Sequence, residues 1–456
     1  MAGISLPLRA ALVSGIAGLL PLYVGAQGLE PLQIFAQFKS ALEANDLANA
    51  KARAEELVAA VESRYGSNSR ELVNPLTNLG TVQFRQGEFE SAEQSYQRAV
   101  SLIEGQLSGA DRQLIRPLHG LGETRLANGR LSAAAIALKR AVDLSRNLDG
   151  LYNLDQLDAV DALIDAYVVL GRDADGDREH QFAFRIAETN FGKRDLRLLD
   201  PLDRLARWHE TMGRYSTARG HHARALQLTE ELATDKPIIG VPALQGLART
   251  WMLEAIYGPE ITEGSGGEAT DPGDVTSTSP GQARLNAEGL RALNFAVEVI
   301  RKTAPVNAKL LGETWAQIGD WHLLAGNFSR ASSSYTESYR ALETAEPEAR
   351  RLLESPRRLI YRPPAISVMR LRPQNPDDYV LRRVEMRLKI GRDGKVQDAV
   401  IANSIAPENS NRAALLAARK ARFAPRIKGG QPVETEGFLM TEQLLIRVQP
   451  EPVPTN

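Results

Sequence analysis

The chain has 456 residues, 43% hydrophobic and 24% charged, with 55 Lys plus Arg against 56 Asp plus Glu. That composition excludes a disordered chain and a multi-span membrane protein, and a net charge of −1 excludes whole-surface attraction to nucleic acid, which needs a basic excess to displace counterions. The absence of Cys excludes disulfides, thiolate catalysis, Cys-ligated zinc and iron–sulfur clusters.

In chain order, Arg9 precedes an apolar run from Ala10 to Val24, closed by Val24-Gly25-Ala26 before Gln27. Charged, apolar and small residues in that order form a secretory signal, and Gly15, Gly18 and Pro21 break the run short of the roughly 20 apolar residues of a spanning helix. Residues 1–26 are therefore expected to be a signal peptide cleaved after Ala26, which places the mature chain in a bacterial periplasm. A signal left uncleaved would anchor it in the inner membrane instead.

Gly87, Gly129, Gly171 and Gly213 then recur at intervals of 42 residues. Around them recur Leu79, Leu121, Leu163 and Leu205 on one side, and Ala92, Ala134, Gly176 and Ala218, then Ala99, Ala141, Ala183 and Ala225, on the other. The pattern predicts helix pairs: Ala lets the helices approach, Leu fills their seam, and Gly takes the left-handed conformation that ends the first helix. Asn45, with Leu47 and Ala50, starts the array one period earlier, and Gly326 reopens it with Trp315, Ile318, Gly319, Phe328, Ala331 and Tyr335 in register. Repeats are thus expected over 27–257 and 284–345. Residues 258–283, with five acidic residues, no Lys or Arg and much Gly, Ser, Thr and Pro, read as a disordered acidic insertion between helices at 241–257 and 284–302.

Leu79-Gly80, Phe84, Gly87, Phe89, Ala92, Tyr96 and Ala99, and again Gly319, Gly326, Ala331 and Tyr335, stand at the spacing of the tetratricopeptide family, which the chain resembles over roughly 28–344. The period exceeds the family's usual 34 residues, so helices or inter-repeat turns must be extended. The resemblance implies an all-α superhelix whose groove binds protein partners. Family groove positions map onto Asn74, Thr77, Arg85, Arg116, His119, Glu123, Asp158, Asp161, Asp165, Asp200, Asp203 and Arg207. Asp158, Asp161 and Asp165 share one helix face, and Asp200 and Asp203 extend the stripe. It reads either as a solvated face or as the seat of a basic ligand, one candidate being the chain's own C-terminal region.

Residues 345–456 carry 20 Lys plus Arg against 13 Asp plus Glu, whereas residues 27–344 carry 34 against 43. Residues 346–376 are Pro- and Arg-rich and are expected to form an extended connector. In 377–449, Val384 to Ile390 alternates as a half-buried strand, Gly391 to Gly394 turns, and Lys395 to Ala402 returns; Asn411 to Arg422 is an amphipathic helix, and Glu442 to Val448 a last strand, with 450–456 a tail. Asp393-Gly394, Val396, Val400, Asn403-Ser404, Ala413-Ala414, Ala418, Arg422-Phe423, Pro425 and Gly430-Gln431-Pro432-Val433 make this small α+β stretch similar to the C-terminal domain of the TonB family. The resemblance implies contact with outer-membrane receptors by pairing a receptor segment with an edge strand, here Gln443, Leu444, Leu445, Ile446 and Arg447; the alternative is a covered edge.

No P-loop, dinucleotide fingerprint, Gly-x-Ser-x-Gly elbow or His-Glu-x-x-His pair occurs. His180 and His222 occupy equivalent repeat positions and could meet, but two nitrogens make a poor zinc site. Asp173 to Asp177 opens like a calcium loop, yet Arg178 and Phe184 stand where Gly and Glu are needed, so a solvated turn is expected. The expected protein is a non-enzymatic scaffold without cofactor, metal, nucleic acid or small-molecule substrate, binding protein partners such as an outer-membrane receptor or envelope complex. The alternative is a TonB-type energy transducer or transport accessory.

Overall fold

A computed structural model describes residues 30–447 except 106–110, 259–279, 369, 372, 374, 376 and 377. The expected signal at 1–26, the tail at 450–456 and most of the acidic insertion lie outside the described residues. The chain parts into two compact units: a first reaching to Glu179 with Arg372–Val380, and a second of His180–Leu371 with the residues from Leu381 onward.

The first unit holds α1 (Glu30–Glu43), α2 (Leu47–Tyr65), α3 (Val73–Arg85), α4 (Phe89–Glu104), α5 (Ile115–Ala127), α6 (Leu131–Asp149), α7 (Leu157–Val169) and the start of α8 (Asp173–Phe191). From α1 to α7 each helix packs on the next, and α3, α5 and α7 also touch in series, so first helices form one layer. The pairing follows from the repeated residues. Asn45, Gly87, Gly129 and Gly171 all have positive φ between paired helices, where an ordinary side chain would clash. Ala50, Ala92, Ala99, Ala134 and Ala141 are buried in the seams, and a Cβ on Gly120 would lie 2.3 Å from the Tyr96 ring.

The extra length of each repeat has two sources. The second helices α2 and α6 run to 19 residues, and a single 3-10 turn precedes each of α3, α5, α7 and α9 (Leu199–Thr211). Ser69, Asp111, Asn153 and Asp195 cap those turns, each side chain accepting a backbone N–H two or three residues on. Outside them, Glu62 with Arg98 and Glu104 with Arg140 join successive second helices, and Glu188 with Arg224 repeats the rung in the second unit. Residues Asp173 to Asp177, expected as a solvated turn, instead form the first turn of α8, because Asp175 is neutralised by Arg172 and Arg178.

The second unit continues with α9, α10 (Tyr215–Leu232), α11 (Val241–Tyr257), α12 (Pro280–Lys302), α13 (Ala308–Leu324) and α14 (Phe328–Glu343), again packed in sequence, with Gly213 and Gly326 at positive φ. The helix after the insertion thus begins at Pro280, four residues earlier than expected.

The stretch 346–376 is not one extended connector. It holds α15 (Pro347–Glu354) and β1 (Arg357–Ile360), and β1 pairs antiparallel with β4 (Arg422–Ala424) beyond β2 (Tyr379–Ile390), β3 (Val396–Ser404) and α16 (Glu408–Arg419). A hairpin of β5 (Arg426–Lys428) and β6 (Gln431–Val433) leads into β7 (Thr435–Arg447). The main sheet has the order β3-β2-β7, and α16 covers the face of β3. Its core is Val384, Met386, Leu388, Ile390, Ala399, Ala414, Ala418, Phe423 and Leu444.

Tetratricopeptide-like repeats and C-terminal module share a second core. Leu359, Ala424 and Ile427 pack with Ala316, Ala331, Tyr335, Leu342 and Leu353. Within it Asp320 receives hydrogen bonds from the Tyr335 hydroxyl at 2.8 Å and from Arg357 at 2.9 and 3.1 Å. Burial lifts the Asp320 carboxyl above its usual range, and Arg357 and Tyr335 partly offset the rise. Thr336 donates to the Gly430 carbonyl at 2.7 Å, and Arg362 to that of Ile256 at 3.1 Å.

Candidate functional site

The groove residues expected from the repeats are not equally available. In the first unit Asn74 and Asp158 are exposed, while Thr77 is 2% exposed and spends its hydroxyl on the Val73 carbonyl of its own helix, 2.6 Å away. Thr77 is therefore a packing residue. Arg85 donates to Asn45 at 3.0 Å, Arg116 reaches Asn78 at 3.5 Å, and His119 lies 3.7 Å from Glu123 one turn on. Asp161 and Asp165 are half-buried on the same helix as Asp158.

In the second unit, Asp200 is met by Arg204 at 3.0 Å, and Asp203 by Arg207 at 2.5 Å and Arg249 at 3.8 Å. The repeats' own arginines, rather than a basic ligand, balance these two acids. Both line a cavity of about 250 Å³ with Leu199, His222, Ala225, Ile239 and Pro242. Beneath it the buried Glu210 carboxylate is bonded by Thr250 at 2.5 Å, Arg249 at 2.9 Å and His222 at 3.4 Å. Burial opposes its charge, but the His222 hydrogen bond, the Arg249 charge and the Thr250 hydroxyl prevail and hold its pKa near about 2. His180 and His222 do not meet: His180 lies over Trp208 with ring centres 4.6 Å apart, and His222 is taken by Glu210. The stacked pair is His209 and His221, at 5.2 Å, and burial together with the neighbouring His209 pushes His221 down to about 4. Among the described residues no group of three His, Asp or Glu is placed to hold a metal ion.

The expected strand-addition edge lies on β7, a terminal strand of the sheet, with Gln443 and Arg447 exposed and Leu444 and Leu445 buried. Residues 443–445 already have a partner on their outer side. Val368 donates its N–H to the Gln443 carbonyl at 3.1 Å and Leu445 donates to Ile366 at 2.9 Å, with Ser367 opposite Leu444 in an antiparallel bridge. The other terminal strand, β3, is guarded by Arg419, which donates to the Ala399 carbonyl at 3.2 Å.

Sequence reasoning missed Glu442. Its neighbours at two-residue intervals along β7, Phe438, Met440, Leu444 and Ile446, all pack on the module's core, so an acid in that register was the available signal. Glu442 is 4% exposed and accepts from the Ser367 hydroxyl at 2.5 Å on one oxygen and from the Tyr361 hydroxyl on the other. Burial pushes its carboxyl above the usual range, against those hydroxyls and the Arg358 charge.

Residues 383–441 match the family model of the Gram-negative bacterial TonB protein C-terminal region, and residues 73–105 match that of the tetratricopeptide repeat. No curated protein sequence matches the chain. Similar solved structures include BtubC (BKLC) from P. vanneervenii, at 15% identity over 69% of this chain and 94% of that one, with a TM-score of 0.36. Others are a putative kinesin light chain of Podosopora anserina with nearly identical TPR-like repeats, at 14% identity over 52% and 99% with a TM-score of 0.40, and the apo form of RapI, at 12% over 69% and 98% with a TM-score of 0.39. By the two family models and its own helix pairing, the chain joins a tetratricopeptide-like array to a TonB-type C-terminal module. Both families are typically scaffolds without catalytic function, and the second is one of the Gram-negative envelope. No described helix is long and apolar enough to cross a membrane.

Proposed function

We propose that this protein is a non-enzymatic periplasmic adaptor. Its repeats hold one protein partner, and its TonB-like module takes an extended segment of a second partner, such as an outer-membrane receptor, along the β7 edge at Gln443 to Arg447. The observation that carries this reading is the shared core around Asp320, Tyr335 and Arg357, which fixes the module on the last repeat. Two binding surfaces on one chain raise each other's effective concentration. A photo-crosslinking residue at Gln443 and another at Asp158, irradiated in living cells, test it: different proteins captured at the two positions are expected, and capture at neither would refute it.

The match to the TonB C-terminal region supports a second reading, an energy transducer or accessory in receptor-dependent transport, retained in the inner membrane by its first 26 residues. N-terminal sequencing separates the two, since a mature chain beginning at Gln27 has no anchor.

A further inference from the structure

The segment on the outer side of β7 carries more information than a covered edge requires. Tyr361, whose own N–H and carbonyl are both held by the Tyr257 hydroxyl of α11 at 3.0 and 3.3 Å, leads into Pro363-Pro364-Ala365-Ile366-Ser367-Val368, which makes one turn, closed by the Ser367 N–H on the Pro364 carbonyl at 2.9 Å, before Ser367 meets the edge. Past the bridge the chain turns, with Leu371 N–H bonded to the Ser367 carbonyl at 2.8 Å. The strand-like contact is thus one residue pair long, with two backbone hydrogen bonds, the shortest pairing an antiparallel edge offers.

Its side chains are chosen for the edge nonetheless. Ser367 is fully buried, Val368 is 6% exposed, and Ile366 packs on the module's core. Both oxygens of Glu442 are satisfied by hydroxyls from this one segment and its root, Ser367 and Tyr361. A buried carboxylate that loses a hydroxyl donor without replacement costs far more than the hydrogen bond itself contributes, so the edge selects what lies on it.

Building on the adaptor reading above, we propose that the edge at Gln443 to Leu445 is an acceptor for an extended segment of another protein with the pattern apolar–Ser/Thr–apolar, kept shut by the chain's own Ile366-Ser367-Val368 until that segment displaces it. The central hydroxyl of the incoming segment replaces Ser367 on Glu442, its flanking apolar side chains replace Ile366 and Val368, and its backbone takes over the two hydrogen bonds. The intramolecular strap lowers the apparent affinity of any competitor by the fraction of time it is closed.

The test uses the full chain and a fluorescent peptide of residues Pro363 to Arg370, followed by anisotropy. V368P deletes the N–H given to Gln443 and releases the strap. V368P is expected to bind the peptide about tenfold more tightly than the unaltered chain, and a peptide with Ala in place of Ser367 is expected to bind V368P about fivefold more weakly. Equal affinity of the two chains, or of the two peptides, overturns the proposal. If V368P fails to fold, hydrogen exchange on the unaltered chain decides: saturating peptide should speed exchange at residues 366–371 and slow it at 443–447, and unchanged exchange at 366–371 overturns the proposal. The adaptor reading fails separately, if V368P takes the peptide yet crosslinkers at Gln443 and Asp158 capture nothing in cells.

Discussion

Asp320, near the end of α13, and Arg357, at the first position of β1, form a bidentate pair at 2.9 and 3.1 Å, with the aspartate side chain 4% exposed. In the second repeat the position equivalent to Asp320 is Thr81, which meets the Tyr96 hydroxyl at 3.0 Å as Asp320 meets that of Tyr335. The last repeat has put a carboxylate where a hydroxyl would serve, and the C-terminal module supplies its counter-charge. Arg357→Ala leaves that carboxylate buried without its counter-charge, with the Tyr335 hydroxyl as its remaining donor, and is expected to cost about 3–5 kcal/mol. Urea unfolding followed by fluorescence of Trp315 and Trp321 measures it. A loss below about 1 kcal/mol would show the pair to be solvated.

Acid should destabilise the second unit in two overlapping steps. The His221 pKa falls on folding from 6.5 to about 4, so the unfolded chain binds a proton first and stability drops as pH falls through that window. Glu210, lowered from 4.5 to about 2, contributes stability that is complete above 4.5 and lost as pH falls toward 2. Glu210→Gln is expected to flatten the lower step while leaving the upper one, in melts recorded between pH 7 and 2.5.

Gly246 on α11 faces the His222 ring so closely that an added Cβ would sit 2.2 Å from it. Both ring and backbone are confined, so neither can yield cheaply. Gly246→Ala should cost about 1–3 kcal/mol by overpacking and should raise the His222–Glu210 distance. An unchanged melting temperature would mean that α10 and α11 slide apart freely.

Asp111 caps the 3-10 turn before α5 and receives Arg70 from the preceding repeat. Asp111→Ala removes both contacts, with an expected loss of about 1–2 kcal/mol, whereas Asp111→Asn, which keeps the capping oxygen, should lose less than half of that. Equal losses would assign the effect to Arg70 alone.

How much of this was legible depends on whether the signal is local. Gly87, Gly129, Gly171 and Gly213 announce the helix pairs because a positive φ between two helices is a demand on a single residue. Ser69, Asp111, Asn153 and Asp195 share the same 42-residue spacing and were equally readable as caps, yet three residue types conceal what one repeated glycine displays. The strands β1, β4, β5 and β6 span three or four residues each, too few for alternation to register, and β1 is strand only because Arg422 to Ala424 lies beside it. Thr77 fell inside the helix pair because its hydroxyl can satisfy itself on the Val73 carbonyl, a choice the sequence leaves open. The cover on Gln443 to Leu445 comes from residues more than 70 positions away, beyond the reach of any periodicity.

The pairing of β1 with β4 makes the C-terminal module difficult to transplant. The recognisable family segment starts at residue 383, but the strand, the arginine and the strap that complete it lie at 357–368, upstream of that point. A fragment beginning at residue 383 and keeping the rest of the chain would leave Phe423 without its strand neighbour, Glu442 without either hydroxyl, and a row of backbone donors and acceptors bare. Such an edge recruits another of its kind, so self-association of an excised domain would reflect where it was cut rather than how the intact protein assembles.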